Sequence, residues 1–312
     1  MAQPTDLCLL QDVKGWAYGN GIANAWDTNS DFLLNTYISM ASRAILNGIN
    51  RPNLLLHQVD DMLSGINGTR VMLKEFPVLS IVSFKANGVT IPPRPAFSGG
   101  TIISSTLYPG GPVGYVLEPW DGYAPGKQQE LVSVGYPLTR GSYNVDVSYM
   151  AGYAIMGEAA KIPASTPFTI APLAPQGPYT QDAGVTFADG TALTAVAQGA
   201  TPTTGQYVPP APPPLTTSGT EPDPAKGGPY FPLYTFAAAD EGKDILLNYS
   251  FVPSDLQYCC MKWVGEWWSY RDRVAQKSKA LPQGGGTATF QLVNMPDDLK
   301  MVLNQFNRVL PV

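Results

Sequence analysis

The sequence predicts an α+β protein: a helical bundle built from N- and C-terminal helices, a β-hairpin or sheet excursion from that bundle, and an inserted small β-sandwich domain. Apolar residues recur at helical spacing near both ends of the chain, over 30–48 and 256–277. Between these stretches apolar and polar residues alternate, as they do in half-buried strands. The 31 glycines and 30 prolines cluster between the periodic segments, where they mark turns and linkers.

Two helices are expected near the beginning of the sequence. Thr5 can cap a short helix over 6–16, and a second helix begins near Ser30 and ends at Asn47-Gly48. The apolar face of the second helix consists of Leu34, Tyr37, Ile38, Ala41 and Ile45. This face is expected to pack inside the bundle because its residues recur every three or four positions.

The period then changes to that of strands. Strands are predicted over 69–73, 78–84, 131–136 and 143–149. Asn87-Gly88 is a tight hairpin signal after the second of these strands. The strand over 131–136 is expected to pair with the strand over 143–149.

A second β-rich stretch, 163–252, is expected to be an inserted module. It begins with 163–178, which is rich in proline and small residues and predicts a linker. Its predicted strands lie at 184–187, 192–197, 205–208, 234–236 and 245–251. The proline-rich loop 209–228 holds no residues that could form a core, so it is expected to be exposed and mobile. The rest of the chain, 1–162 and 253–312, is predicted to form the main domain.

Helical signals return after this module. Ser254 is expected to cap a helix over 256–277, and a last helix begins at Pro296 with Asp297 and Asp298 in its first turn. Among the apolar residues of the longer helix, Trp263 and Trp267 are four positions apart. That spacing favours a core face over a platform for stacking sugars or bases. Trp268 lies off this line and is expected to reach an interface.

Charge and cysteine content exclude several classes of protein. The net charge is −5, only 14% of residues are charged, and no basic patch of the kind that grips phosphates is present. Sequence-specific DNA binding is therefore not expected, and the low charge indicates a surface covered by partners. Three cysteines are too few for a disulfide framework and predict reduced, buried thiols of a protein made in a cytoplasm. Neither a signal peptide nor a membrane-spanning segment is expected.

The sequence predicts no catalytic, cofactor-binding or metal-binding residues, and no enzymatic activity. The single histidine, His57, follows three leucines and is expected to have a structural role rather than to serve a catalytic triad or a zinc site. Glu118, Asp121 and Asp189 could contribute to a glycosidase carboxylate pair. A carbohydrate-binding or hydrolytic protein therefore stays open as a remote alternative.

Short motifs occur along the chain in a specific order. They are DVKGW at 12–16, SDFLL at 30–34, ASRAI at 41–45, RP at 51–52, NGTRVML at 67–73, FPVLSI at 76–81, VDVSYMAGY at 145–153, WWSYRDR at 267–273 and MPDDL at 295–299. In order and spacing these motifs resemble the head-to-tail connector, or adaptor, proteins of long-tailed double-stranded DNA bacteriophages. The resemblance covers about 1–160 and 253–312.

This resemblance implies a structural protein of the virion neck, made in the bacterial host cytoplasm and located at the head–tail junction. It implies a ring of about twelve copies, a dodecamer held by heterologous contacts. Its partners would be the portal protein and a tail terminator or other neck or tail proteins. Genomic DNA would pass through the lumen during ejection without sequence-specific binding. The residues expected at subunit interfaces are Trp268, Arg271, Arg273, Phe306 and Arg308.

The stretch 178–252 departs from the short members of that family. With GQY at 205–207 and YTFAAADEGK at 234–243, it resembles a small β-sandwich module of other phage virion proteins. Such a module would brace a neighbouring subunit, touch the capsid or anchor collar fibres. A collar, tail or fibre-anchoring virion subunit is therefore the alternative function.

Overall fold

The structure is a computed structural model that describes residues 6–19, 30–94, 113–118, 129–211, 232–271, 278–280, 287–289 and 297–308. The chain divides into two compact units. The first unit comprises Met1–Asn53 and Ala154–Asn304, and the second comprises Leu54–Tyr153 and Gln305–Val312. Of the helices in the described ranges, none is long and apolar enough to cross a membrane.

The described residues form four α-helices and sixteen β-strands in five sheets. The helices are α1 (Leu10–Gly19), α2 (Asp31–Gly48), α3 (Ser254–Tyr270) and α4 (Asp297–Leu303). The strands of the second unit are β1 (His57–Gly65), β2 (Arg70–Met72), β3 (Val78–Ala86), β4 (Val89–Thr90), β5 (Gly114–Glu118), β6 (Glu130–Val134) and β7 (Gly141–Ala151). Those of the first unit are β8 (Ala154–Lys161), β9 (Thr169–Ile170), β10 (Tyr179–Phe187), β11 (Thr194–Ala195), β12 (Gln206–Val208), β13 (Tyr234–Phe236), β14 (Asp244–Phe251), β15 (Ser278–Ala280) and β16 (Thr287–Thr289).

The predicted fold class, a helical bundle with β excursions, was wrong. The chain is mostly β-sheet, and its helices are short, from 7 residues in α4 to 18 in α2. The physical reason is that strand-forming residues at alternating positions line two hydrophobic cores of their own. The segments that we expected to be excursions from a bundle are therefore self-supporting β structures.

Two antiparallel sheets form the core of the second unit. One has the strand order β1-β7-β3-β4 and the other the order β2-β6-β5. Side chains from both sheets enter one hydrophobic cluster, including Phe84, Val147, Leu117 and Leu131. The expected pairing of 131–136 with 143–149 was wrong, because β6 lies between β2 and β5 while β7 lies between β1 and β3.

The hairpin expected at Asn87-Gly88 was confirmed. Asn87 and Gly88 have φ angles of 50° and 78°, and Lys85 pairs with Thr90 across the turn. Positive φ at both central positions matches the right-handed twist of the two strands, which is why an Asn-Gly sequence favours this turn.

The first unit contains a second pair of sheets. Strands in the order β10-β14-β8 form one sheet, and β11-β12-β13-β9 form the other. Both contribute to a core rich in tyrosine, including Tyr179, Tyr207, Tyr234 and Tyr249. The segment 163–178 is more than a linker, since its strand β9 pairs Ile170 with Tyr234. Most of the predicted proline-rich loop lies outside the described residues.

The four helices also belong to the first unit, where α3 contacts α1, α2 and α4. Helix α1 begins later than expected, at Leu10, where the Asp12 carboxylate accepts a hydrogen bond of 3.0 Å from the Leu9 N–H. Ser254 does not cap α3, because its hydroxyl donates to the carbonyl of Gln176. Residues 272–277 of the predicted longer helix, as well as Thr5 and Pro296, lie outside the described residues.

Candidate functional site

The candidate site is the outer side of helix α2. The inner side of this helix is buried, with Leu34, Ile38, Ala41 and Ile45 each at most 1% exposed. On the opposite side Phe32, Thr36, Met40, Arg43 and Asn47 are exposed at spacings of three or four residues. We call these five residues the α2 outer row. Because they share one helical face, they present a continuous strip to a partner.

Two of the five side chains of this row are large and apolar. Phe32 is 82% exposed and Met40 is 43% exposed. The two neighbouring polar side chains make hydrogen bonds to their own helix. The Thr36 hydroxyl donates to the Phe32 carbonyl over 2.9 Å, and the Arg43 Nε donates to the Ser39 carbonyl over 3.2 Å. Removing water from this row therefore costs less free energy than removing it from polar groups that make no hydrogen bond within the chain.

Helix α2 is held in place by a partly buried ion pair and an aromatic contact. The Lys14 ammonium pairs with the Asp31 carboxylate, and these side chains are 6% and 27% exposed. The Tyr37 ring lies edge-on to Trp267 with a centroid distance of 5.8 Å. These contacts fix α2 against α1 and α3, so the orientation of the α2 outer row is determined by the packing of the unit.

Trp263 and Trp267, whose spacing predicted a core face, pack against each other, whereas Trp268, which was expected to reach an interface, is buried in this chain. Trp263 is 6% exposed, and its ring centroid lies 5.1 Å from that of Trp267. Trp268 is only 3% exposed, and the guanidinium of Arg271 lies 3.6 Å from its ring centroid. Arg271 thus covers Trp268 within the chain through a cation–π contact.

The other predicted interface residues lie near the end of the described chain. Phe306 is fully buried, and its ring centroid lies 6.1 Å from that of Tyr153. The Arg308 Nε lies 3.2 Å from a carboxylate oxygen of Glu75. Arg273 lies outside the described residues. The structure therefore brings Trp268 together with Arg271, and it places Phe306 and Arg308 in the second unit.

A buried polar cluster in the second unit was not predicted. The Tyr149 hydroxyl donates to Asp61 over 2.8 Å and accepts from the Glu75 N–H at 3.2 Å. Lys74 forms an ion pair of 2.9 Å with the same aspartate. Burial raises the pKa of Tyr149 well above its ordinary value, so the hydroxyl stays protonated and can donate. The sequence did contain one signal for this cluster. Asp61 is a charged residue on the inward-facing side of β1, between Val59 and Leu63.

A second cluster of this kind lies in the tyrosine-rich core of the first unit. The Asp182 carboxylate accepts hydrogen bonds from the hydroxyls of Tyr207 and Tyr234, over 2.7 and 3.0 Å. Burial raises the pKa of both tyrosines, and the nearby Asp182 charge raises it further. Each polar group has a partner in its cluster, so this arrangement stabilises the core without leaving a reactive group.

Two of the three candidate glycosidase carboxylates, Glu118 and Asp189, have a local structural partner. Glu118 forms an ion pair of 3.3 Å with Arg70, and Asp189 accepts a hydrogen bond of 2.8 Å from the Thr191 N–H. Asp121 lies outside the described residues. The Nδ1 of His57 lies 2.7 Å from the Leu55 carbonyl oxygen. Across the part of the chain that the structure describes, no group of three or more His, Cys, Asp or Glu side chains could hold a metal ion.

Comparison with known proteins does not identify a family for this chain. The chain matches no protein-family model and no curated protein sequence.

Proposed function

We propose that the chain is a structural subunit of a tailed-phage virion, which forms a ring joining the portal and capsid to the tail and surrounds the passage for DNA. The observation that carries this proposal is the α2 outer row. Helix α2 and the residue before it contain two of the motifs that resemble connector proteins, SDFLL and ASRAI, and the outward positions of the helix include the exposed Phe32 and Met40.

Exposure of these side chains favours association. Full burial of a phenylalanine or methionine side chain contributes roughly 1.5–3 kcal/mol. A neighbouring copy that covers the α2 outer row would gain most of this free energy at Phe32 and less than half of it at Met40, which is only 43% exposed. Only 14% of the residues are charged, which also fits a protein whose surface is covered in an assembly.

Other motif residues have roles in packing rather than in chemistry. Gly152, in VDVSYMAGY, has a φ of 135°, and a Cβ there would lie under 3.0 Å from the Leu55 backbone. Arg51, from the Arg-Pro motif, is 1% exposed. Motif residues that fix backbone and side-chain positions are what a structural subunit requires, whereas an enzyme motif would supply a reactive group.

Cryo-electron microscopy of purified particles that contain this chain tests the proposal. The expected result is a ring of copies between the portal and the tail, with the α2 outer row covered by a neighbouring subunit. Absence of the chain from that vertex would overturn the ring proposal. A ring in which α2 faces only solvent would overturn the role of the α2 outer row.

A paired-variant experiment tests the same surface in solution. Phe32→Lys together with Met40→Lys should abolish ring formation on isolated portal, as measured by sedimentation velocity and negative-stain imaging. Leu173→Lys is the matched control, because Leu173 is 79% exposed in the same unit but lies outside the row. Equal ring formation by the double variant and the control would contradict the proposal.

The sheets of the first unit favour a second candidate, a collar, tail or fibre-anchoring subunit. Strands β8 to β14 form a core cluster of their own, with Tyr234 and Leu247 fully buried. A self-supporting β module is suited to hold a partner at a distance from the helices. The same reconstruction discriminates between the candidates, since copies at the collar or along the tail, without a ring at the vertex, would support this one.

A further inference from the structure

Two cysteine thiols meet inside the first unit. The Sγ atoms of Cys8 and Cys260 lie 3.3 Å apart although the residues are 252 positions apart in the sequence. Both residues are buried, at 4% and 0% exposure. The Ser42 hydroxyl lies 3.5 Å from the Cys260 sulfur and accepts a hydrogen bond of 2.9 Å from the Leu7 N–H. Ser42 thus connects the segment that carries Cys8 to the helix that carries Cys260.

This sulfur pair lies where the two halves of the first unit join. Cys8 belongs to Met1–Asn53 and Cys260 to Ala154–Asn304, the two stretches that together make the unit. Contacts of α3 with α1 and α2 hold these stretches together. A covalent bond between the sulfurs would add a reducible cross-link at this joint.

We propose that Cys8 and Cys260 form an oxidative modification site, at which a small hydroperoxide such as hydrogen peroxide converts the two thiols into an intramolecular disulfide. The inference depends on the geometry of the first unit and not on the proposed virion role.

The reaction proceeds in two balanced steps. One thiol, as its thiolate, attacks a peroxide oxygen, so that an S–O bond forms, the O–O bond breaks, and one water leaves after proton transfer. The second sulfur then attacks the sulfenic sulfur, the S–S bond forms, and the S–O bond breaks with loss of a second water. In total two thiols and one hydrogen peroxide give one disulfide and two waters.

The geometry requires only a small movement. A disulfide has an S–S distance of about 2.05 Å, so the sulfurs must approach by about 1.3 Å from their separation of 3.3 Å. Burial, followed by the hydrogen bond with Cys260, raises the pKa of the Cys8 thiol. Because thiolate is the reactive form, we expect oxidation to be slow at neutral pH and faster in alkaline solution. Because both thiols are buried, a small oxidant such as hydrogen peroxide should also reach them more easily than a bulky disulfide reagent would.

Counting free thiols tests the proposal on the full chain. Reduced protein, denatured and alkylated, should take up three alkyl groups, since it contains three cysteines. After treatment with hydrogen peroxide and removal of the oxidant, it should take up one. Disulfide formation itself should lower the intact mass before alkylation by about 2 Da, beside a gain of about 16 Da for each of the nine methionines that becomes a sulfoxide, and dithiothreitol should restore all three thiols.

Peptide mapping identifies the partner of Cys8. Trypsin should release residues 1–14 joined to residues 244–262, and the second peptide contains both Cys259 and Cys260. The variant Cys259→Ser resolves this ambiguity and is the matched control, since Cys259 is also buried. It should still give the linked peptide, whereas Cys8→Ser and Cys260→Ser should each lose it while keeping the wild-type circular dichroism spectrum.

Thermal unfolding gives a second readout. A link that closes so long a loop should raise Tm by on the order of 5–10 °C in the oxidised wild type and in oxidised Cys259→Ser. Peroxide should give no such shift in Cys8→Ser. Sulfinic acid without a linked peptide, a link through Cys259, or links only between chains would each overturn the proposal.

Discussion

The Trp16 indole of α1 lies over Gly265 of α3, at a distance that leaves no room for a side chain. A Cβ at Gly265 would lie under 3.0 Å from two atoms of the Trp16 ring. Glycine in a helix interior costs about 1 kcal/mol relative to alanine. The close approach of the two helices therefore explains a residue that helix propensity alone disfavours.

Gly265→Ala should lower the free energy of unfolding by about 1–3 kcal/mol, because the indole must move out of well-packed surroundings. Urea unfolding followed by tryptophan fluorescence measures this change. Gly15→Ala is the matched control, since a Cβ there meets nothing within 4 Å, and it should stabilise α1 by up to about 1 kcal/mol. In a Trp16→Ala background, Gly265→Ala should cease to destabilise. An equal loss in both backgrounds would contradict the proposed clash.

Elements with a strong local signal were predictable from the sequence. The alternating residues of β7 and the Asn-Gly turn before β4 have preferences that act over a few neighbouring positions, and both elements appear where they were expected. The 3.6-residue period of α2 likewise predicted its buried face. Local signals of this kind depend little on the rest of the chain.

Strand partners and the sulfur pair depend on contacts between distant residues. The pattern of β6 shows that it has one buried face, but it does not specify whether β7 or the pair β2 and β5 lies beside it. Cys8 and Cys260 meet only because α1, α2 and α3 pack together. No local spacing carries that information, and the helical signals at the chain ends led us to overestimate the helical share of the core.

The partly buried ion pair between α1 and α2 should lose different amounts of stability when one or the other of its two members is removed. Asp31→Asn leaves the Lys14 ammonium, 6% exposed, without its counter-ion and should cost about 3–5 kcal/mol of stability. Lys14→Met should cost less, because Asp31 is 27% exposed and can still be hydrated. Urea denaturation measures both changes.

A matched surface pair provides the control for this asymmetry. Lys300 and Asp297 also form an ion pair, but their side chains are 55% and 94% exposed. Lys300→Met should leave the urea midpoint unchanged, because water solvates the remaining carboxylate. A larger loss for Lys14→Met than for Asp31→Asn would show that burial does not set the cost.

The polar cluster of the second unit should make Tyr149→Phe destabilising. This change removes the hydroxyl that joins the Glu75 N–H to the Asp61 carboxylate, so two buried polar groups lose a partner. The expected loss is about 1–3 kcal/mol, measured by urea unfolding. Tyr143→Phe is the control on the same strand, since Tyr143 is 68% exposed, and it should have little effect. Equal effects of the two changes would exclude a structural role for the buried hydroxyl.

The Asp12 carboxyl should make the stability of the first unit fall as the pH rises. Burial raises the pKa of Asp12 above its ordinary value of 3.8, although the Leu9 N–H and Gln257 oppose this shift. A raised folded-state pKa means that Asp12 stays protonated to a higher pH in the folded chain than in the unfolded chain. The stabilising contribution is therefore complete below about pH 3.8 and is lost as the pH rises through the folded-state pKa.

Asp12→Asn removes this titration, so the stability of the wild type relative to the variant should be lower at about pH 7 than at about pH 3.5. Urea midpoints at the two pH values measure the difference, and carboxylates common to both proteins cancel. Asp189→Asn is a control of opposite sign in the same unit, because hydrogen bonds with Thr191 lower the pKa of Asp189. There the stability of the wild type relative to the variant should rise with pH. A wild-type advantage over Asp12→Asn that is constant or grows with pH would show that burial of this carboxyl does not control its titration.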